Sequence, residues 1–120
     1  MPYFTILNRF NGAVIYGGYA PDMKTLVGQA VAAGVDLHGA DLAGQDLTDV
    51  NLQGAQLDEA NLTNARLDGA DLTNASLRQA DAGNSGIAAA ITINADQTGL
   101  GLDATQAIGV PTDPEGIQER

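Results

Sequence analysis

Residues 35–84 read VDLHG ADLAG QDLTD VNLQG AQLDE ANLTN ARLDG ADLTN ASLRQ ADAGN. Leucine recurs at every fifth position: Leu37, Leu42, Leu47, Leu52, Leu57, Leu62, Leu67, Leu72 and Leu77. Two positions before each stands a mostly small residue, such as Val35, Ala40, Val50, Ala60 or Ala70, and Ala80 and Ala82 continue the pattern in weakened form. Between the two sits a polar residue, most often Asp or Asn. A period of five suits neither regular element. On an α-helix, a step of five rotates by about 140°, so the leucines would spiral over every face. On a strand, side chains alternate, and successive leucines would point to opposite sides. A chain that turns by roughly a quarter every five residues brings each leucine to one axis and seats the small residue beside it. Four such repeats close one coil.

The pattern resembles the pentapeptide-repeat family, whose motif reads A-(D/N)-L-x-x. Ala-Asp-Leu-Ala-Gly (40–44), Ala-Asn-Leu-Thr-Asn (60–64) and Ala-Asp-Leu-Thr-Asn (70–74) match it in full. The resemblance implies a mainly β fold, a right-handed quadrilateral β-helix. Gln45 departs from the small-residue rule, so its corner should be strained or its amide bonded to backbone. Ala82 in a leucine position indicates that the ladder is ending. Residues 35–84 then make about two and a half coils, a column only ~12 Å tall at the strand spacing of about 4.7–4.9 Å. Short solenoids need caps, because each coil is covered only by its neighbours.

The flanks are read as those caps. Residues 3–7 form a strand, Asn11-Gly12 is a hairpin signal, and residues 13–16 form the return strand. Asp22 can N-cap a helix. Met23, Leu26, Val27, Ala30 and Val31 make an apolar stripe at helical spacing, and Gly34 stands where a helix ends. Residues 1–34 are thus a hairpin and capping helix, whose stripe plugs the open end of the β-helix. This layout resembles small pentapeptide-repeat proteins of bacteriophage and bacterial genomes. At the other end, Ile87 keeps the five-residue register. Ile91-Thr92-Ile93 and Leu100-Gly101-Leu102 read as two short strands with a turn between them. Residues 85–108 are expected to be a C-terminal cap or a homodimer surface. Residues 109–120, with Pro111, Pro114 and several acids, are expected to be a disordered acidic tail.

The formal net charge is −10. Residues 1–34 net +1, residues 35–84 net −7 and residues 85–120 net −4. A chain this poor in Lys and Arg cannot neutralise phosphates, so direct nucleic-acid binding is excluded as a leading function. Anionic membrane surfaces are disfavoured for the same reason. A protein partner with a basic surface is favoured. There is no Cys, which removes disulfides and thiolate metal sites and is compatible with the cytoplasm, or a host cytoplasm for a phage-encoded chain. No basic segment precedes an apolar run, so no secretory leader is expected, and no run reaches the ~20 residues of a membrane span.

Enzymatic chemistry finds little footing. The only histidine, His38, follows a core leucine and faces solvent; stacking by coil places it under Asp58 and then Arg78. This His–Asp pair has no nucleophile beside it. Asp36, Asp41 and Asp46 lie on different walls and cannot converge on one calcium ion, whose helix–loop–helix sites use a different spacing. Tyr16-Gly17-Gly18 lacks the lysine of a phosphate loop. No catalytic residue, metal ligand or cofactor is expected.

Surface charge remains. Sorted by coil, one wall carries Asp36, His38, Asp58, Glu59 and Arg78, and another carries Asp46, Asp49, Asp68 and Arg66. Asp46, Asp49, Asp68, Asp58 and Glu59 are the candidate protein-binding residues. Some pentapeptide-repeat proteins resemble duplex DNA and bind type II topoisomerases. The resemblance therefore implies an inhibitor that occupies the DNA-binding surface of a host enzyme, whether a topoisomerase, a nuclease or a phage-defence complex. Duplex DNA carries one charge per about 1.7 Å, and a single wall here falls short of that density. The alternatives are a virion or scaffold component that binds through its ends, and a solenoid with no mimicry.

Overall fold

The computed structural model describes residues 1–102. Strands β1 (Tyr3–Asn8) and β2 (Val14–Tyr19) pair antiparallel. The reversal is wider than a two-residue Asn-Gly turn. Asn8 N–H donates to the Ala13 carbonyl and Gly12 N–H to the Asn8 carbonyl, both at 2.8 Å. Gly12 sits at φ +72°, a conformation a side chain would strain. Strand β2 also runs past Tyr16, because Gly17 and Gly18 make room for two neighbours. A Cβ on Gly17 would lie 2.7 Å from Tyr3 Oη, and one on Gly18 would lie 3.2 Å from Leu26 Cδ1.

Helix α1 (Met23–Ala32) begins as its sequence dictates. The Asp22 carboxylate accepts the Thr25 N–H at 2.8 Å, satisfying a donor that has no partner within the helix. Of the expected stripe, Leu26, Val27 and Ala30 are fully buried, and Met23 and Val31 are half-buried against the same core.

Beyond the helix the chain winds into a β-helix-like solenoid. Parallel bridges join residues twenty apart: Asp41 to Asn61, Asp46 to Arg66, Asn51 to Asp71, Gln56 to Ser76 and Asn61 to Asp81. The backbone satisfies itself along the axis. Leu42 N–H donates to the Asn61 carbonyl at 2.9 Å, and Asn61 N–H donates to the Ala40 carbonyl at 2.8 Å. The nine ladder leucines, Leu37 to Leu77, all have zero exposure. The chain turns at the second residue after each leucine, which takes positive φ at Asp49, Glu59, Asn64 and Asn74 and at several glycines. Short polar residues and glycine dominate there because they tolerate that conformation best. Gln45 is half-buried in a shallow cleft with Asp22, Met23 and Lys24, where the start of the helix gives it room.

The ladder does not stop at residue 84. Ala82 and Ile87 occupy buried axial positions, and bridges continue from Asp71 to Ile91, Ser76 to Asp96 and Asp81 to Gly101. The two short strands with a turn between them, expected at Ile91-Thr92-Ile93 and Leu100-Gly101-Leu102, are instead further coils of the solenoid. Each stretch lies on the coil beneath it, whose backbone groups are already in place, whereas an isolated hairpin is marginal in water. The leucine signal was lost because Thr92 and Gln97 take axial positions. They are half-buried, and Gln97 Oε1 is buried without a hydrogen-bond partner. The expectations for 103–108 and for the tail 109–120 lie outside the described residues.

The N-terminal segment does more than plug the end. Strand β1 also pairs antiparallel with β3 (Ala40–Asp41) of the first coil, Leu7 with Asp41 and Asn8 with Ala40, giving a sheet of order β2-β1-β3. Both of its cations act as ties. Arg9 Nη1 donates to the Glu59 carbonyl at 3.2 Å and pairs with Asp81 at 2.7 Å, and Lys24 Nζ donates to the Thr48 carbonyl at 3.0 Å.

Leu57, on the second coil, tests the axial placement. Leu57→Ala should lower the stability seen in urea unfolding by about 2–5 kcal/mol. Leu57→Asp, which buries an unpaired charge, should abolish the cooperative transition. A Leu57→Asp protein that melts cooperatively near the wild-type temperature would overturn the assignment.

Candidate functional site

The walls of the solenoid are built from the polar residue that precedes each leucine. At Asp36, Asp41, Asp46, Asn51, Asn61 and Asp71 its side-chain oxygen accepts the N–H two residues on, closing a local turn. Asp36 takes His38 N–H at 2.9 Å, Asp46 takes Thr48 N–H at 3.0 Å, Asn51 takes Gln53 N–H at 3.0 Å and Asp71 takes Thr73 N–H at 3.0 Å. At three repeats a threonine two residues after the aspartate adds a second bond through its hydroxyl. Thr48, Thr73 and Thr98 donate Oγ1–H to Asp46, Asp71 and Asp96, each at 2.6 Å. Much of the acidity read from the sequence as surface charge thus makes turns.

The five candidate residues divide accordingly. Asp58 is committed within the fold. Ser76 stands where a repeat would carry Asp, and Asp58 from the coil below supplies the missing acceptor. It takes the Arg78 N–H at 3.0 Å and the Ser76 hydroxyl. His38 does stack under Asp58, with Gly39 N–H donating to the Asp58 carbonyl at 2.8 Å, but the Asp58 carboxylate is turned away to Arg78 and Ser76. His38 Nε2 lies 3.9 Å from Glu59 Oε1 instead, so the His–Asp dyad does not form. Glu59 and Asp81 also border a shallow cleft with Arg9, Phe10 and Gln79.

Asp46, Asp49 and Asp68 remain on one wall, all exposed. The bridge from Asp46 to Arg66 and the 3.0 Å bond from Asp49 N–H to the Asp68 carbonyl fix their alignment. The side chains climb the wall: a Cβ on Gly69 would collide with Asp49 Oδ1, and one on Gly86 would collide with Asp68 Oδ1. Each carboxylate thus leans across a bare glycine of the next coil. The ion pairs of the ladder lie elsewhere, Arg9 with Asp81 at 2.7 Å and Arg78 with Asp96 at 3.9 Å. The Thr48 hydroxyl and N–H hold Asp46 below its ordinary value of 3.8, aided by Lys24 and Arg66. Sequence reasoning placed these acids on one wall through the twenty-residue period. It missed their glycine seats, which need the coil-to-coil contact to be seen. Among the described residues, no group of three or more His, Asp or Glu is placed to hold a metal ion, and no helix is long and apolar enough to cross a membrane.

A family model for pentapeptide repeats matches in eight copies, over residues 29–64 and 55–85. Among solved structures, the pentapeptide repeat protein Rfr23 from the cyanobacterium Cyanothece 51142 is 36% identical over 53% of this chain, with a TM-score of 0.36. This chain spans about 40% of the length of that protein. A second, alr5209, a pentapeptide repeat protein from Nostoc Pcc 7120, is 29% identical over 68% of this chain and 76% of its own, with a TM-score of 0.36. No curated protein matches the chain.

The threonine-bonded aspartates give stability a pH signature. Asp46, Asp71 and Asp96 are lowered first by a threonine hydroxyl, and Asp22 by its bonds from Thr25. A depressed folded-state pKa contributes stability above the unfolded value, which is lost as pH falls through the folded value. The Tm should therefore show no loss from these groups between neutral pH and about 5, and should fall progressively below their ordinary value of 3.8. Thermal melts across pH 2–7 check this, and Thr48→Val with Thr73→Val should shrink the acid drop. An unchanged drop in that variant would show that the turns do not carry it.

Proposed function

Because this chain belongs to the pentapeptide-repeat family over residues 29–85, whose members are typically non-enzymatic protein-interaction modules, we propose that it binds a basic protein surface through the wall of Asp46, Asp49 and Asp68. With this reading go the right-handed, four-walled winding that the resemblance implies and a cytoplasmic setting. The supporting observation is the climbing alignment of these exposed carboxylates. Among the described residues, Asp49 and Asp68 take part in no ion pair, so a partner's Lys or Arg can reach them without breaking one.

Charge density argues against a close copy of a duplex. Residues 35–102 net −8. At about 4.8 Å per coil the column is ~16 Å tall. A duplex of that length carries about nine charges, all on two backbones, whereas here they spread over four walls and Asp58 is turned into the fold. The partner is thus better described by its basic surface than by duplex geometry. If that surface is a nucleic-acid site, the protein acts there as an inhibitor, and added duplex will compete.

A second reading has its own support. The last described coil exposes Ile91 and Ile93. An assembly component would bind through that end, and removing the chain beyond Gly86 would abolish its contacts.

Capture from host lysate at low salt and release at high salt tests the wall. Screening shortens from about 10 Å at 0.1 M to about 3 Å at 1 M, so a wall-bound partner should elute. Asp46→Asn, Asp49→Asn and Asp68→Asn together should still melt cooperatively as a folded protein and lose the captured protein. Capture that survives both the salt step and the triple variant would reject the wall.

A further inference from the structure

We propose that β2 is a self-association edge, through which two copies of this chain pair antiparallel about a two-fold axis. Among the described residues, β2 is the outer strand of the β2-β1-β3 sheet, so one row of its backbone N–H and C=O groups faces outward. Its sequence, Val-Ile-Tyr-Gly-Gly-Tyr, carries no charge and no proline. Folded proteins usually blunt such an edge with lysine, proline, a very short strand or a cover, because it is a template for pairing.

The face beside the edge is apolar. Tyr3, Leu7, Val14 and Tyr19 share the outer side of the hairpin, as the pairings Tyr3 with Tyr19 and Leu7 with Val14 require. Tyr3 and Tyr19 meet edge to face with ring centroids 4.9 Å apart. They remain 57% and 66% exposed, and Val14 60%. At about 150–250 Å² per aromatic side chain, the two tyrosines leave roughly 200–300 Å² uncovered. Val14 and Leu7 bring the patch into the range of about 300–600 Å² that marks the largest patch on a typical monomer.

Charge selects a second copy as the occupant. Residues 1–21 hold Arg9 and no acid, while the remainder of the chain nets −11. Two copies repel across the acidic walls but can meet at the hairpin. Asp41, paired with Leu7, marks where the acidic surface begins, on the side away from β2. A basic partner would find nothing to neutralise at this patch. Self-pairing of one strand is isologous and closes as a dimer rather than a filament. The patch is smaller than the ~800 Å² per partner of a standard interface, so the dimer is a weak one that forms with concentration.

Sedimentation of the full chain from micromolar to near-millimolar concentration tests the proposal. The mass should rise from 12.3 kDa toward twice that value. The association should tighten with added salt, because screening removes like-charge repulsion, the opposite of the dependence expected at the wall. Val14→Lys with Tyr19→Lys should stay at the monomer mass with an unchanged circular dichroism spectrum. Ile93→Lys on the last described coil, and the Asp46, Asp49, Asp68 triple variant, should still dimerise. A chain that stays monomeric throughout the series would overturn the proposal. So would a dimer that survives the lysine pair, or one that Ile93→Lys alone abolishes.

Discussion

The structure depends on a backbone ladder that runs along the solenoid axis. Each coil hands its N–H and C=O groups to the neighbouring coil in a twenty-residue register, through bonds that span nineteen residues, as Leu42 to Asn61, or twenty-one, as Asn61 to Ala40. A buried backbone group without a partner costs about as much as a lost hydrogen bond. The twenty-residue spacing is therefore not negotiable, since one inserted residue would misalign every later coil. The leucines fill the space that this spacing encloses, and the alanines let the walls approach. Stability is shared by contact between neighbours, so the first and last coils are the weak points.

That weakness explains the N-terminal segment. Strand β1 gives the first coil a pairing partner at Ala40–Asp41, and helix α1 covers its apolar end with Leu26, Val27 and Ala30. The only cations of this segment, Arg9 and Lys24, reach the coils and bind there. Arg9 spans furthest, since its ion pair joins the hairpin to Asp81. A segment of net charge +1 thus docks on one of −7, and the docking uses the positive groups that a partner might otherwise have met.

The sequence disclosed the parts of the fold that repeat a strong local signal. The leucine ladder, the helix with its Asp22 cap and the hairpin were legible because each is written in adjacent residues. The continuation to Gly101 was not, because backbone pairing holds those coils after leucine has given way to Ala82, Ile87, Thr92 and Gln97. A pattern search sees side chains, whereas the ladder is made of main chain. The candidate site divided in the same way. Its wall followed from the period, but the commitment of Asp58 to Arg78 and Ser76 depends on a contact between coils that no local motif encodes.

The acidity of the protein can now be separated into what the fold requires and what it leaves open. At most repeats the position before the leucine supplies an acceptor for the N–H two residues on. Asn51 and Asn61 fill that role as Asp36, Asp46 and Asp71 do. The turn demands an oxygen, not a charge, so aspartate at those positions is an addition over what folding asks. Asp49 is a different case, for its backbone lies at φ +62°, a conformation that asparagine and glycine supply equally well at Asn64 and Gly44. Asp68 faces outward in a seat that other repeats fill with residues as different as Ala43, Thr48, Gln53 and Arg78, so the fold does not require a carboxylate there. Folding thus explains the small polar residues of the walls and leaves the excess of carboxylates unexplained. That excess serves solubility at every wall, and at Asp46, Asp49 and Asp68 it also forms an ordered row. Replacing aspartate by asparagine there removes charge while keeping the turn chemistry, so it separates the binding role of the wall from its structural one.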